Sequence, residues 1–490
     1  MSFSAAMPAS LHQQLAGHLL RADGQEDVCL ATYAPSTGSA RTSAVLGRAV
    51  LPGPGERAVH GNASFTGSYV VRAAREAASA GRGVAALHSH PGGSGWQDMS
   101  GPDYDTERSY ALLVREITGL PLAGMTVAGD GSWSCRRWNP SGAPEHGESV
   151  RVPGSCFRVT WNDLLRPPPA VTGSQARTVS AWGETAQASL ARIRVLVIGA
   201  GSVGLDVALR LAATGIVQVG AMDFDTMEII NLDRMIGATA ADVRLARSKA
   251  EVAGRLMRLA ATARNPSVRT YDLSVCEPDG LAAALDYDII ISCVDRPWAR
   301  GVLNSLAYAD LVPVLDGGIG IEAFDDGAMR NAVWRTHLVT PGQPCLVCNR
   351  QLNPAHIQTD KLGLFDDPSY IRGAAASTQP SKQNVAALAA SVSASLLAQF
   401  TNLTVAPAGM GSPGPLRYAL STHTLEHLDI PLKPNCPFET QTAAGDNRIP
   451  LTGIHPAARK AREERRARQN QPPVRLGRQL AEIGDWLSRR

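Results

Sequence analysis

Ten residues constrain this chain more than any others: Val195-Leu196-Val197-Ile198-Gly199-Ala200-Gly201-Ser202-Val203-Gly204. Four apolar residues in a row suit a buried strand. Glycines at 199, 201 and 204 permit a tight turn and let phosphate groups approach the positive end of the helix that follows. Further apolar runs at 218–223, 289–294 and 312–315 would supply the other strands of a parallel sheet covered on both faces. Asp223, about twenty positions on, has the place of a ribose ligand. By itself the turn fits a nicotinamide-dependent dehydrogenase as well as an ATP-using enzyme.

At 490 residues the chain exceeds one core and should hold two or three domains. Its 44% hydrophobic and 19% charged residues are those of an ordinary soluble globular protein. A net charge of +3 gives no argument for nucleic acid, and the excess is local: residues 456–490 carry ten Lys/Arg against four Asp/Glu. Such an end reads as a solvated helix or partly disordered tail, or as a docking segment for an acidic partner. Eight cysteines in so long a chain suggest a reducing compartment. The start of the chain lacks a charged-then-apolar leader pattern, and the Ala/Ser-rich stretch 384–400 is short of a membrane span and reads as a buried helix. The expectation is a cytoplasmic protein without membrane or nucleic-acid partners.

The first ~140 residues alternate helical and strand patterns, an α+β arrangement with a strand at 84–90 and a long helix at 103–118. In the run Leu87-His88-Ser89-His90-Pro91, His88 and His90 leave one face of that strand. Asp103, at the head of the helix, can supply a third ligand to one ion, leaving a fourth position for water, as in a catalytic zinc site. Glu26, just ahead of a strand at 28–33, is the best candidate for general base, and Glu56, in a Pro/Gly turn, a weaker one. Ser100 is placed to donate a hydrogen bond to a tetrahedral oxyanion.

Glu26, His88-Ser89-His90-Pro91 and Ser100-Gly101-Pro102-Asp103 together resemble the pattern of the JAMM/MPN (JAB) metalloproteases, over residues 8–140. Twelve residues separate His90 from Asp103 where the family commonly has ten, and the glycines at 92, 93 and 95 can absorb the excess. The resemblance implies Zn²⁺ on His88, His90 and Asp103 and cleavage of peptide or isopeptide bonds after the C-terminus of a ubiquitin-like protein. Residues 141–175, rich in Pro, Gly and Ser, read as a linker.

Beyond the linker, Asp223-Phe224-Asp225 is followed by Asn231-Leu232-Asp233-Arg234, Arg247-Ser248-Lys249 and Ser292-Cys293-Val294-Asp295, and preceded by Arg177, Gly183, Gln187 and Leu190. This array resembles the ubiquitin-activating-enzyme superfamily with its ThiF-like adenylating enzymes, and it decides against a dehydrogenase. The resemblance covers 176–435 and implies a Rossmann-like domain with a mainly parallel sheet. It further implies ATP and Mg²⁺, with Arg234 and Lys249 on the triphosphate, Asp223 on the ribose, Asn231 on a phosphate and Asp295 on Mg²⁺. Arg177 resembles the arginine that a partner subunit provides in that family, which implies a homodimer. The substrate would be the C-terminal carboxylate of a ubiquitin-like or sulfur-carrier protein.

Cys345-Leu346-Val347-Cys348 resembles the first half of that superfamily's structural zinc site, but the second half is Cys436-Pro437-Phe438-Glu439, leaving Cys345, Cys348, Cys436 and at most Glu439. The crossover loop expected within 351–383 holds no cysteine, which leaves two readings: the adenylate passes to a cysteine on a separate conjugating-enzyme-like protein, or Cys345 or Cys348 has taken that role. Cys276 and Cys293 read as core, and 436–490 as a basic C-terminal tail. Two resemblances in one chain imply a bifunctional processing enzyme of a ubiquitin-like modifier. Trimming and activation of a sulfur carrier, or a scaffold that has lost one activity, are the alternatives.

Overall fold

The computed structural model describes residues 1–60, 62–366 and 383–487, arranged as two mixed α/β sheets with helices. The N-terminal sheet has nine strands, in the order Arg158–Trp161, Ser149–Val152, Ser2–Ala6, Arg41–Val50, Val28–Thr37, Gly83–His90, Ala123–Ala128, Trp133–Trp138, Pro144–His146. Alternation along its central strands separates two cores. Cys29, Ala31, Tyr33, Ala85 and Leu87 pack with helix Ala9–Leu19 on one face. Leu30, Val84 and Ala86 pack with helices Gly67–Ser79 and Gly101–Thr118 on the other.

The expected linker at 141–175 is shorter than its composition suggests. Ser149–Val152 pairs in parallel with Ser2–Ala6 and antiparallel with Arg158–Trp161, so these strands complete the N-terminal sheet. Prolines and glycines there mark the turns between edge strands, where the missing backbone donor is tolerated.

The second sheet runs Ser267–Tyr271, Gln218–Met222, Arg194–Ile198, Ile289–Ser292, Val314–Ala323, Met329–Val339, Leu416–Ala419, Thr424–His427. Its first five strands are parallel, in keeping with the expected mainly parallel sheet, and its last three are added antiparallel at one side. The connection from Ala323 to Met329 is too short for a parallel crossover. The last two strands, Leu416–Ala419 and Thr424–His427, form a hairpin with His423 at φ 52° in the turn between them.

Helix Ala386–Val405 is long and apolar enough to cross a membrane, yet Leu388, Val392, Leu396, Phe400 and Leu403 are buried; the last four join the core beneath the second sheet. The basic C-terminal residues form two docked helices, Pro456–Gln469 and Pro472–Leu487, rather than a solvated tail. Arg462 grips both oxygens of Glu277 at 2.8 and 2.7 Å, Arg465 is buried against Asp272 and the Phe224 carbonyl, and Arg478 donates to Glu251 at 2.7 Å. A charge run can be a docking face when its partners lie on the same chain. Of the expected crossover loop at 351–383, residues 367–382 lie outside the described residues.

The two sheets meet through buried charge. The Arg41 guanidinium pairs with Asp288 and donates to the Leu285 and Tyr287 carbonyls, and Arg194 pairs with Glu148. Asp288 and Arg194 stand at the amino ends of the parallel strands, so the N-terminal sheet covers that edge and leaves their carboxyl ends open.

Candidate functional sites

At the far end of the N-terminal sheet, His88 and His90 leave the last turn-ward residues of strand Gly83–His90. Asp103 faces them from the first turn of helix Gly101–Thr118. Both His Nε2 atoms lie 3.4 Å from Asp103 Oδ2. Donor atoms bound tetrahedrally to one zinc stand about 3.4 Å apart, so these three fit a shared ion. Ser100 caps the helix, accepting the Asp103 N–H at 3.3 Å while its hydroxyl donates to Asp103 Oδ2 at 2.7 Å. In this geometry the Ser100 hydroxyl orients Asp103. Burial raises the Asp103 carboxyl, but the hydrogen bonds from His88 and Ser100 outweigh it and hold the group below the ordinary carboxylate range.

His88 also contacts Thr126 at 3.2 Å, and Thr126 accepts from Arg136, which pairs with Glu107. Sequence reasoning missed this buried chain, because its members come from four elements brought together only by folding. Strand Val28–Thr37 pairs antiparallel with the histidine strand, Val28 opposite His88, and the Ser89 N–H donates to the Asp27 carbonyl. The pairing ends at Val28 and His88, and Glu26 lies in the irregular segment two residues before the strand. Glu56 is instead held by Arg72 and the Gly53 N–H.

The second site is a cavity of about 250 Å³ at the carboxyl ends of the parallel strands. Gly199, with φ +89°, makes the turn, and a Cβ on Gly204 would come within 1.8 Å of the Gly199 carbonyl. Only glycine lets the helix start so close to the strand. Gly199, Gly201, Asp223, Asn231, Arg234, Lys249 and Asp295 all line the cavity; Gly204 packs behind it. Lys249 Nζ donates to Asp225 at 2.7 Å, and the carboxylates around it raise its pKa despite burial, keeping it charged. Burial pushes Asp223 up to about 6 against the pull of Lys249. Its oxygens accept the Ala200 and Asp225 N–H groups, each at 2.8 Å, so Asp223 braces the glycine turn. The Asn231 amide oxygen accepts the Glu228 N–H. Arg177 is exposed on helix Ala176–Trp182, away from the cavity lining, and buried Gln187 ties Trp182 to the Thr214 carbonyl. His455 and Leu273, which no sequence motif singles out, line the cavity too, as does Phe224.

Cys345, Cys348 and Cys436 converge in a third cluster, with Sγ–Sγ distances of 3.6 and 3.5 Å from Cys345. Thiolates bound tetrahedrally to zinc stand about 3.8 Å apart, so the three fit one ion. Glu439 accepts from the Gly342 N–H and is outside the converging set of donor atoms. Cys276 is buried in the core and Cys293 lies at the nucleotide-side strand end, lining the cavity.

The ThiF family description matches residues 173–437, more than half of the chain. The chain belongs to the ThiF family. The chain is 35% identical over 139 residues to a probable adenylyltransferase/sulfurtransferase MoeZ of Mycobacterium tuberculosis, covering 28% of this chain and 34% of that one. It is 31% identical over 133 residues to the molybdopterin-synthase adenylyltransferase of Escherichia coli, covering 27% and 51%. The chain thus spans a third to a half of the length of these relatives. Among solved structures, E. coli MccB aligns at 18% identity with a TM-score of 0.42, covering 55% of this chain and 75% of that one. The matched ThiF region ends before the two C-terminal helices and begins after the histidine cluster.

Proposed function

We propose that the ThiF region adenylates the C-terminal carboxylate of a ubiquitin-like or sulfur-carrier protein, and that the N-terminal sheet is a JAMM-type zinc peptidase acting on the same modifier. The observation that carries the reading is the cavity at the carboxyl ends of the parallel strands, where the glycine turn, Arg234, Lys249 and Asp295 meet. A carboxylate oxygen attacks the α-phosphorus of ATP, the bond to the β-phosphate breaks, and pyrophosphate leaves. Two anions must approach each other, and Lys249 and Arg234 offset that repulsion. Asp295 would hold Mg²⁺, which neutralises the triphosphate when bound. Exposed Arg177 is placed to reach a second copy of the chain, which favours a homodimer.

His88, His90 and Asp103 would hold Zn²⁺, which lowers the pKa of a bound water and polarises the scissile carbonyl. Glu26, just ahead of the strand that pairs with the histidine strand, would take the proton from that water and pass it to the leaving amine. Cys345, Cys348 and Cys436 would hold a structural zinc. The sulfur-carrier reading draws support from relatives whose names join adenylyltransferase to sulfurtransferase.

Carrier-dependent exchange of labelled pyrophosphate into ATP tests the first activity. Each candidate carrier is supplied with its free C-terminal carboxylate, and exchange with none of the ubiquitin-like or sulfur-carrier proteins encoded beside this chain overturns the reading. Cleavage of a carrier bearing a C-terminal extension, abolished by removing zinc and restored by returning it, tests the second.

A further inference from the structure

The ThiF match ends at residue 437, yet the cavity is walled in part by His455, from the segment just before helix Pro456–Gln469. The His455 ring stacks on Trp298 with centroids 5.0 Å apart and planes 9° from parallel, and lies 5.1 Å from the Phe224 ring. Three further contacts fix this segment. The Trp298 indole N–H donates to the Leu451 carbonyl at 2.8 Å, the Gly453 N–H donates to the Cys276 carbonyl at 2.8 Å, and Arg465 donates to the Phe224 carbonyl at 2.8 Å.

Sheet order says which part of a nucleotide would lie there. Phosphates belong at the glycine turn after strand Arg194–Ile198, and the ribose beside Asp223 after the neighbouring strand Gln218–Met222. The base then lies outward, toward Leu273 and Val275, which follow the edge strand Ser267–Tyr271. His455 and Phe224 close that end. Nδ1 of His455 accepts the Ala458 N–H at 3.1 Å, which assigns the ring proton to Nε2. Burial lowers the pKa of His455, so the ring stays neutral. Its Nε2–H has no protein acceptor among the hydrogen bonds of the described residues.

Resting on the nucleotide reading above, we propose that the C-terminal segment completes the nucleotide site, with His455 as the residue that recognises the purine base by donating from Nε2 to a ring nitrogen. The two basic helices are the anchor that holds this wall in place.

Binding of ATP and of inorganic tripolyphosphate to the full chain, with Mg²⁺, tests it. The variant is His455→Asn, whose side-chain oxygen can still cap helix Pro456–Gln469. Losing one base hydrogen bond should weaken ATP about tenfold. Tripolyphosphate, which has no base, should bind the variant and the wild type alike. Equal ATP affinity in the two proteins overturns the proposal, and so does an equal loss of ATP and tripolyphosphate, which would make His455 only a brace for the Phe224 loop. Wild-type chain that binds no ATP would instead overturn the nucleotide reading on which the proposal rests.

Discussion

Arg41, at the start of a strand in the N-terminal sheet, and Asp288, at the amino edge of the ThiF sheet, form an ion pair in which both side chains are only 1% exposed. Arg151 lies 3.9 Å from the same carboxylate, and the Arg194 backbone N–H donates to it at 2.9 Å. Removing one partner of such a pair leaves the other charged, buried and unpaired. Asp288→Asn should therefore cost about 3–5 kcal/mol of stability. Thermal unfolding should show both halves melting earlier. Loss confined to one half would mean that the interface does not couple them.

Acid should act on the same contact. Burial raises the Asp288 carboxyl, but the surrounding guanidinium groups, Arg41 first, outweigh it and hold the group well below the ordinary carboxylate range. A group whose folded value is depressed contributes stability above its unfolded value, near pH 4, and loses it as pH falls toward the folded value. Denaturant midpoints should stay level from pH 7 to about 5 and fall below about 4. Asp288→Asn should flatten that fall.

The His88–His90–Asp103 cluster lies at the end of its strands away from this interface. Ser36, at the interface, and Val28, opposite His88, are separated by eight residues of one strand, or roughly 25 Å. The nucleotide cavity opens at the carboxyl ends of the other sheet, also away from the contact. Two sites so separated should act independently. His88→Ala should lower peptidase activity at least about 100-fold, since even outer contacts of metal ligands are worth 10–100-fold. Pyrophosphate exchange should be unchanged, and zinc analysis should show one equivalent lost.

Lys249→Ala should reverse that pattern. Removing one charge-stabilising donor costs about 100-fold or more in rate. Exchange should collapse while zinc content and peptide cleavage hold. Because Lys249 also pairs with Asp225, near-UV circular dichroism should be compared with wild type to confirm that the loop is intact.

Cys436→Ser tests the third cluster. If the three thiols hold zinc, the variant should lose one equivalent of metal and melt earlier, with the histidine site still loaded. Unchanged metal content would make the cluster three packed thiols.

Much of this was legible in the chain. His88, His90 and Asp103 were found by strand and helix spacing, and folding brings their donor atoms within 4.8 Å of one another. Gly199, Gly201, Asp223, Asn231, Arg234, Lys249 and Asp295 were found by motif, and they line one cavity. The linker at 141–175 was misread because proline and glycine mark the edges of sheets as well as the gaps between domains. The tail was misread because its cations answer Glu277, Asp272 and Glu251, carboxylates about 180 to 230 residues away along the chain.

The sequence by itself determined the local chemistry: which residues share a strand face, where three glycines allow a phosphate turn, which carboxylate heads a helix. These depend on dihedral periodicity and on side-chain type, which neighbours in the chain carry with them. Only the tertiary structure decided that Arg41 meets Asp288, that Thr126 and Arg136 back His88, and that His455 walls the nucleotide cavity. Those pairings depend on which surfaces bury one another, and burial is a property of the whole packed chain, set by long-range contacts that no local pattern encodes.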